Sequence, residues 1–167
     1  VGRRRAMGAG LLLAAAATAL GGCGFRLRTP PTFGFRTLAF SGIEPASPMA
    51  VALRRALLRS DVQVVAGLAG ADLVLEVLDA GRDKGVVAQT AAGQVRELTL
   101  RSRLQFRVRR PDGEVAMDAT LLEQRRSLTT TESASLAKEQ EEDGLFRAME
   151  ADIADQVLRR LASVGRV

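Results

Sequence analysis

Glu97 to Arg109 reads ELTLRSRLQFRVR, and its alternation decides the fold. The even positions are Leu98, Leu100, Ser102, Leu104, Phe106 and Val108. The odd positions are Glu97, Thr99, Arg101, Arg103, Gln105, Arg107 and Arg109. A period of two with one apolar face and one polar face marks a β-strand in a sheet covered on one side only. The polar face carries Arg101, Arg103, Arg107 and Arg109 in a row. Like charges so close repel unless neighbouring strands answer them. Two readings of the row stay open: a solvated face in an arginine-rich chain, or a surface that meets lipid phosphates or the acidic walls of a partner.

The flanking segments supply what the apolar face packs against. Pro111-Asp112-Gly113 is a turn in which Pro presets the first φ and Gly takes the strained corner. It returns the chain as a strand over residues 114–130, where Val115, Met117, Ala119 and Leu121 continue the apolar face. Upstream, residues 71–80 (ADLVLEVLDA) form a strand with Leu73, Leu75 and Val77 on one side. Residues 81–93 are a turn or open loop, or an extension of the strands on either side. Residues 35–40 (FRTLAF) make a short first strand, ended by Ser41-Gly42. Ser47-Pro48 starts a helix, with Ser as N-cap and Pro at the first helical position. Met49, Leu53, Ala56 and Leu57 give that helix one apolar face before it ends near Ser60. Val62 to Val65 is a short extended piece. Downstream, Ser133 or Ser135 caps a long amphipathic helix over Leu136 to Leu161, in which Leu145, Met149, Ile153, Val157 and Leu161 recur every fourth residue. Gly144 weakens its first part and allows a bend or a late start. The economical architecture is α/β (α+β): a two-layer sandwich of a mixed, mostly antiparallel four-stranded sheet with both helices on its apolar face.

The chain opens VGRRRAMGAGLLLAAAATALGGCG. Three arginines precede an apolar run from Ala6 to Leu20, and small residues lead to Cys23, the single cysteine. This is the layout of an export signal. A Cys directly after the small residues resembles the bacterial lipoprotein box, in which cleavage leaves that Cys N-terminal and acylated. A transmembrane anchor would need about 20 apolar residues without the Gly21-Gly22 break. A plain secreted protein would carry an unpaired reactive thiol. The expected division is a signal peptide at 1–22, lipidated Cys23 and linker at 23–34, the α/β domain at 35–163 and a tail at 164–167. Pro30-Pro31 makes the linker stiff. Gly24, where an Asp commonly retains lipoproteins at the inner membrane, favours the outer membrane and its periplasmic face.

The whole chain has 24 basic and 19 acidic residues, a formal +5. Residues 1–22 hold three arginines and no acid, so residues 23–167 carry +2. Such a balance is a poor signature for nucleic acid. There is no His, Trp or Tyr. Imidazole triads and His metal sites are therefore excluded, and a single Cys permits no internal disulfide. No glycine-rich phosphate loop stands between a strand and a helix. Glu139, Glu141, Glu142 and Asp143 lie near a helix start, where carboxylates complement the helix dipole. The expectation is a binding or structural protein, not an enzyme, with no catalytic residue, cofactor or metal.

Cys23-Gly24-Phe25-Arg26-Leu27-Arg28 resembles the Cys-Gly-aromatic-basic-Leu-Arg opening of the LptE family of lipopolysaccharide-assembly lipoproteins. Gly93-Gln94, the alternating strand after it, Leu136-Ala137-Lys138-Glu139 and Gln156-Val157-Leu158-Arg159-Arg160-Leu161 are also similar to that family, in order and spacing. The resemblance implies a sheet with two helices on one side. It implies an outer-membrane lipoprotein that plugs and helps assemble the LptD β-barrel and binds lipopolysaccharide on its way to the outer leaflet. Lys138 matches a family lysine implicated in that binding, and a point charge suits a lipid A phosphate. A second family basic residue falls here on Ala91 and Ala92, leaving Arg82, Lys84 or Arg96 to supply its charge. The candidate lipopolysaccharide-binding residues are thus Lys138, Arg96, Arg101 and Arg103. The rival reading is an outer-membrane lipoprotein that scaffolds another envelope complex and binds no glycolipid.

Overall fold

In the computed structural model, residues 32–89, 93, 95–129 and 135–164 are described. The expected signal peptide at 1–22, Cys23, Pro30-Pro31 of the expected linker, Ala91, Ala92, Gln94 and Ser133 lie outside them. The elements in order are β1 (Thr37–Ser41), α1 (Pro48–Leu57), β2 (Gln63–Val65), a 3-10 turn (Leu68–Gly70), β3 (Leu73–Gln89), β4 (Val95–Arg109), β5 (Val115–Thr129) and α2 (Ser135–Val164). The strands make one sheet in the order β2-β1-β3-β4-β5. In it β1 is parallel to β2 and β3, while β3-β4-β5 is an antiparallel meander. The sheet has five strands rather than four. The added edge strand is the extended piece after α1, whose three residues pair with β1 but are too few to show a period.

The helices form where their caps and stripes require. Ser47 Oγ accepts the Ala50 N–H at 3.3 Å, and Pro48 takes the first helical position. Met49, Ala50, Leu53, Ala56 and Leu57 are buried against the sheet. α2 starts at Ser135 and runs unbroken through Gly144, so the helix does not start late. The propensity cost of one Gly, about 1 kcal/mol, is outweighed by contacts on both sides of it. Glu142 meets Lys84 at 2.7 Å, and Phe146 is buried.

The core is aliphatic. Leu100, Leu104, Phe106 and Val108 are fully buried on the helix side of β4, as its alternation requires. The apolar face of β5 departs from expectation. Phe106 pairs with Thr120 but Val108 with Met117, so β5 spends three residues where β4 spends two. That bulge reverses the parity of β5. Met117 faces the helices, but beyond it Leu122 and Leu128 are buried while Leu121 is 57% exposed. Residues 81–89, the ambiguous segment, continue β3 along β4 to Gln89. Their side chains lack a continuous apolar face, and cross-strand pairing with ion pairs holds them instead.

Two joints fix the parallel end. Asp72 accepts the N–H groups of Arg36 and Thr37 at 2.8 and 2.9 Å, and Thr37 Oγ1 accepts the Asp72 N–H at 2.9 Å. These bonds hold the Asp72 carboxyl below the usual range. Gly42 has φ +73°, and a Cβ there would collide with the Val77 carbonyl oxygen. Only glycine allows that approach.

Candidate functional site

The β3-β4 hairpin and the first half of α2 project together. At about 3.3 Å per residue, the 17-residue β3 is roughly 56 Å long, and the 30-residue α2 is roughly 45 Å. Near the base, both helices cover the sheet with Leu38, Leu53, Leu75, Phe106, Ile153 and Leu161. Toward the tip, α2 covers it, and among the described residues the core there consists of Leu100, Leu128, Phe146 and Met149, with Leu98 and Leu145 packed against them. A polar row separates the two cores. Arg82, Ser102 and Gln124 are cross-strand neighbours on β3, β4 and β5. Glu150 of α2 meets that row with a side chain only 4% exposed.

Arg82 is the centre of this row. Its Nε and Nη2 donate to the two Glu150 carboxylate oxygens at 2.7 and 2.9 Å. Its guanidinium stacks 4.8 Å from the Phe146 ring centroid. The Glu150 hydrogen bonds raise the Arg82 pKa, against the opposing effect of burial. Further out, Lys84 reaches Glu142 at 2.7 Å, and Arg126 of β5 reaches Asp152 at 3.2 Å. α2 is therefore riveted to the tip half of the sheet by ions rather than by a continuous apolar seam.

Beyond these rivets the tip is exposed and amphipathic. Val86 and Val87 are 51% and 57% exposed on β3. Arg96 is exposed at the start of β4. Lys138 is half-buried on α2, four residues before Glu142 and so one turn nearer the tip. Arg82 and Lys84, two of the possible substitutes for the missing family charge, are engaged with α2 carboxylates. Arg96 is not among the ion-paired residues described.

Arg101 and Arg103 stand elsewhere, on the open face of the sheet. The arginine row is answered there by acids on both neighbouring strands. Glu76 accepts from Arg107 and Arg109 at 2.9 and 3.0 Å. Arg103 bridges Asp79, at 2.6 Å, and Asp83. Arg101 donates to Asp83 at 3.1 Å and lies 3.7 Å from Glu123, which also accepts from Arg125. Gly81 makes this possible, because a Cβ there would press on the Arg103 guanidinium at 3.1 Å. The hydrogen bond from Arg107 holds the Glu76 carboxyl low. Burial would raise the Asp83 carboxyl, but Arg103 and Arg101 bring it below its ordinary value. The row is an internally neutralised ladder: of the four candidate residues, Arg101 and Arg103 belong to it, while Arg96 stands at the start of β4 and Lys138 in the first turns of α2.

Sequence reasoning misses the Arg82–Glu150 pair. Its one signal is that Glu150 lies four residues after Phe146 and three before Ile153, inside the apolar stripe of α2. Among the described residues, no three acidic, Cys or His side chains are placed to hold a metal, and no helix is long and apolar enough to cross a membrane.

Comparison with known proteins agrees with this architecture. A solved structure of a lipoprotein B from Nitrosomonas europaea superposes with a TM-score of 0.69 at 23% identity, covering 85% of this chain and 94% of that one. The LPS-assembly lipoprotein LptE of Pectobacterium atrosepticum is 28% identical over 159 residues, 93% of this chain and 85% of the relative. The LptE of Photorhabdus laumondii is 27% identical over 156 residues, 92% of this chain and 85% of its own length. The family model LptE, described as lipopolysaccharide-assembly, matches residues 35–161, which run from the approach to β1 almost to the end of α2. The chain therefore belongs to the LptE family of lipopolysaccharide-assembly proteins.

Proposed function

We propose that the chain is a non-catalytic outer-membrane lipoprotein, held at the periplasmic face by acylated Cys23. It plugs and helps assemble an LptD-like β-barrel and binds lipopolysaccharide with its hairpin tip. The observation that carries the reading is the tip itself, in a chain matched by the LptE family over residues 35–161. Val86 and Val87 are exposed on β3, Arg96 is exposed at the start of β4 and Lys138 lies in the first turns of α2, so this half of the molecule carries both apolar side chains and cations. A phosphorylated glycolipid presents the complementary pair, acyl chains next to phosphates. The opposite face suits a different neighbour. Barrel interiors are polar, and a ladder whose charges are already paired lies against such a wall without stranding an unpaired ion.

Two measurements test this. Lys138→Asp should weaken lipopolysaccharide binding about tenfold, a loss near 1.4 kcal/mol, with unchanged Tm because Lys138 joins no core cluster. Unchanged binding removes Lys138 from the site. Detergent extraction of the tagged chain should bring with it a large barrel that resists dissociation. Extraction without a barrel sinks the plug reading and leaves scaffolding of another envelope complex.

A further inference from the structure

A groove runs between the outer sides of α1 and α2, with a volume of about 690 Å³. Pro48, Val51, Ala52, Ala56 and Leu58 of the α1 region and Ala151 of α2 give it apolar surface, and the carboxylates of Asp143 and Glu150 line it beside four arginines. Val51 is 41% exposed and Leu58 84% exposed. Four arginines line the groove, and two of them are neutralised. Arg59 pairs with Asp155 at 2.8 Å, and Arg82 is held by Glu150. Arg55 of α1 and Arg147 of α2 meet no carboxylate among the described residues, although Arg147 Nε donates to the Asp143 carbonyl oxygen at 3.2 Å. The groove thus combines an apolar strip with an excess of positive charge, four arginines against Asp143 and Glu150, and Asp143 lies 3.9 Å from Arg82 rather than in an ion pair with Arg55 or Arg147.

We infer that this groove is a second lipid site, distinct from the hairpin tip, which takes an acyl chain of a phosphorylated lipid and holds its phosphate between Arg55 and Arg147. Charge complementarity selects the occupant. Guanidinium forks match phosphate, and the small side chains of Ala52, Ala56 and Ala151 leave room for an alkyl chain. The chain's own N-terminal linker is a poor occupant, since Arg26 and Arg28 would add cations to cations. The inference rests on the reading that the protein meets phosphorylated lipid, which is why lipid rather than an acidic helix is placed here.

The test uses the full-length lipidated chain in amphipol and a photo-reactive dodecyl phosphate, with labelled residues mapped by mass spectrometry. Labels should fall between Pro48 and Leu58 and around Ala151. The double variant Arg55→Ala/Arg147→Ala should label about tenfold less with unchanged Tm, and Arg55→Lys/Arg147→Lys should keep most of the labelling. Ala151→Leu, which fills the trough, should also lose it. Equal labelling by the matching dodecanol probe, labels confined to other surfaces, or no change in the double alanine variant would overturn the site. So would displacement of the probe by an acidic amphipathic peptide but not by lipid A, which points to a protein partner. If lipopolysaccharide binds through Lys138 while the groove stays unlabelled, the groove alone fails. If the groove labels but wild-type protein binds no lipopolysaccharide, the tip reading fails and the groove stands.

Discussion

The hairpin is built in two ways along its length. At the base, two helices close over β3, β4 and β5, and side chains such as Leu53, Leu75, Phe106, Ile153 and Leu161 fill the space between the layers. At the tip, one helix covers the same strands, and among the described residues the layer holds four buried apolar side chains plus ionic rivets at Arg82–Glu150, Lys84–Glu142 and Arg126–Asp152. The polar row of Arg82, Ser102 and Gln124 separates the two regions. Ser102 Oγ is buried with no hydrogen-bond partner among the described residues, a cost that an apolar residue would avoid. The base is built for stability. The tip half has ion pairs where the base has aliphatic contacts, and it leaves Val86, Val87 and Arg96 exposed.

The largest effect should come from the base. Phe106 is fully buried between the layers. Phe106→Ala should destabilise by about 3–5 kcal/mol through lost transfer energy and an unfilled cavity, a Tm fall of at least about 10 °C for a domain of this size. Thermal unfolding followed by circular dichroism measures it. A fall of only a few degrees would mean that the base is no better packed than the tip.

Next is the rivet. Arg82→Ala strands a carboxylate whose side chain is 4% exposed. Breaking a buried pair costs about 3–5 kcal/mol. Because the Arg82 side chain is itself 30% exposed, about 2–3 kcal/mol is expected here. Replacing both partners, Arg82→Met with Glu150→Leu, should recover most of the loss, since apolar substitutes fill the space without an unpaired charge. Hydrogen exchange should show the Arg82→Ala loss concentrated in residues 81–103 and the first half of α2. Equal loosening of β1 and α1 would show that the two regions are one cooperative unit.

These two sites differ in how legible they are in the sequence. Phe106 announces itself, because its neighbours at two-residue intervals are apolar and the intervening residues are not. The fold follows from that strand, from the Ser47-Pro48 cap and from the Pro111-Asp112-Gly113 turn, all of them local signals. What is not legible depends on register between distant segments. The β5 bulge moves burial from Leu121 to Leu122. Glu150 falls inside the apolar stripe of α2, but its partner Arg82 is 68 residues away in sequence, where no local pattern points to it. The arginine row resembles a docking surface because its acids lie on other strands, at Glu76, Asp79, Asp83 and Glu123. Lys138 comes from family resemblance and not from periodicity.

The open-face ladder gives a smaller effect, with a defined sign. The folded pKa values of Glu76, Asp83 and Asp72 lie below their ordinary values. Such groups contribute stability that is fully present above the unfolded carboxylate range, about pH 4 to 4.5. That contribution is lost as pH falls through the lower folded values. Denaturation midpoints should be flat from about pH 8 to 5 and fall below about pH 4. Glu76→Gln should blunt that fall slightly, and about 0.5 M salt should shrink the ladder's contribution because its members are partly exposed. A steep loss near pH 6 would locate the responsible groups elsewhere.

The smallest effect is a gain. Gly144 lies inside α2, on the tip side of Glu150, and a methyl group on its Cα would meet nothing within 4 Å. Its φ is not in the left-handed region, so alanine fits without strain. Gly144→Ala removes unfolded-state freedom and should stabilise by about 0.5–1 kcal/mol. The gain should be local, slowing amide exchange over residues 137–148 and leaving the base unchanged. Because Lys138 lies on the same half of the helix, the variant also tests what the looser packing at the tip is for. If Lys138 must move to engage its ligand, Gly144→Ala will slow lipopolysaccharide association while raising Tm. If association is unchanged, the tip is a preformed surface, and its thin core is a consequence of exposing valines and cations rather than a device for motion.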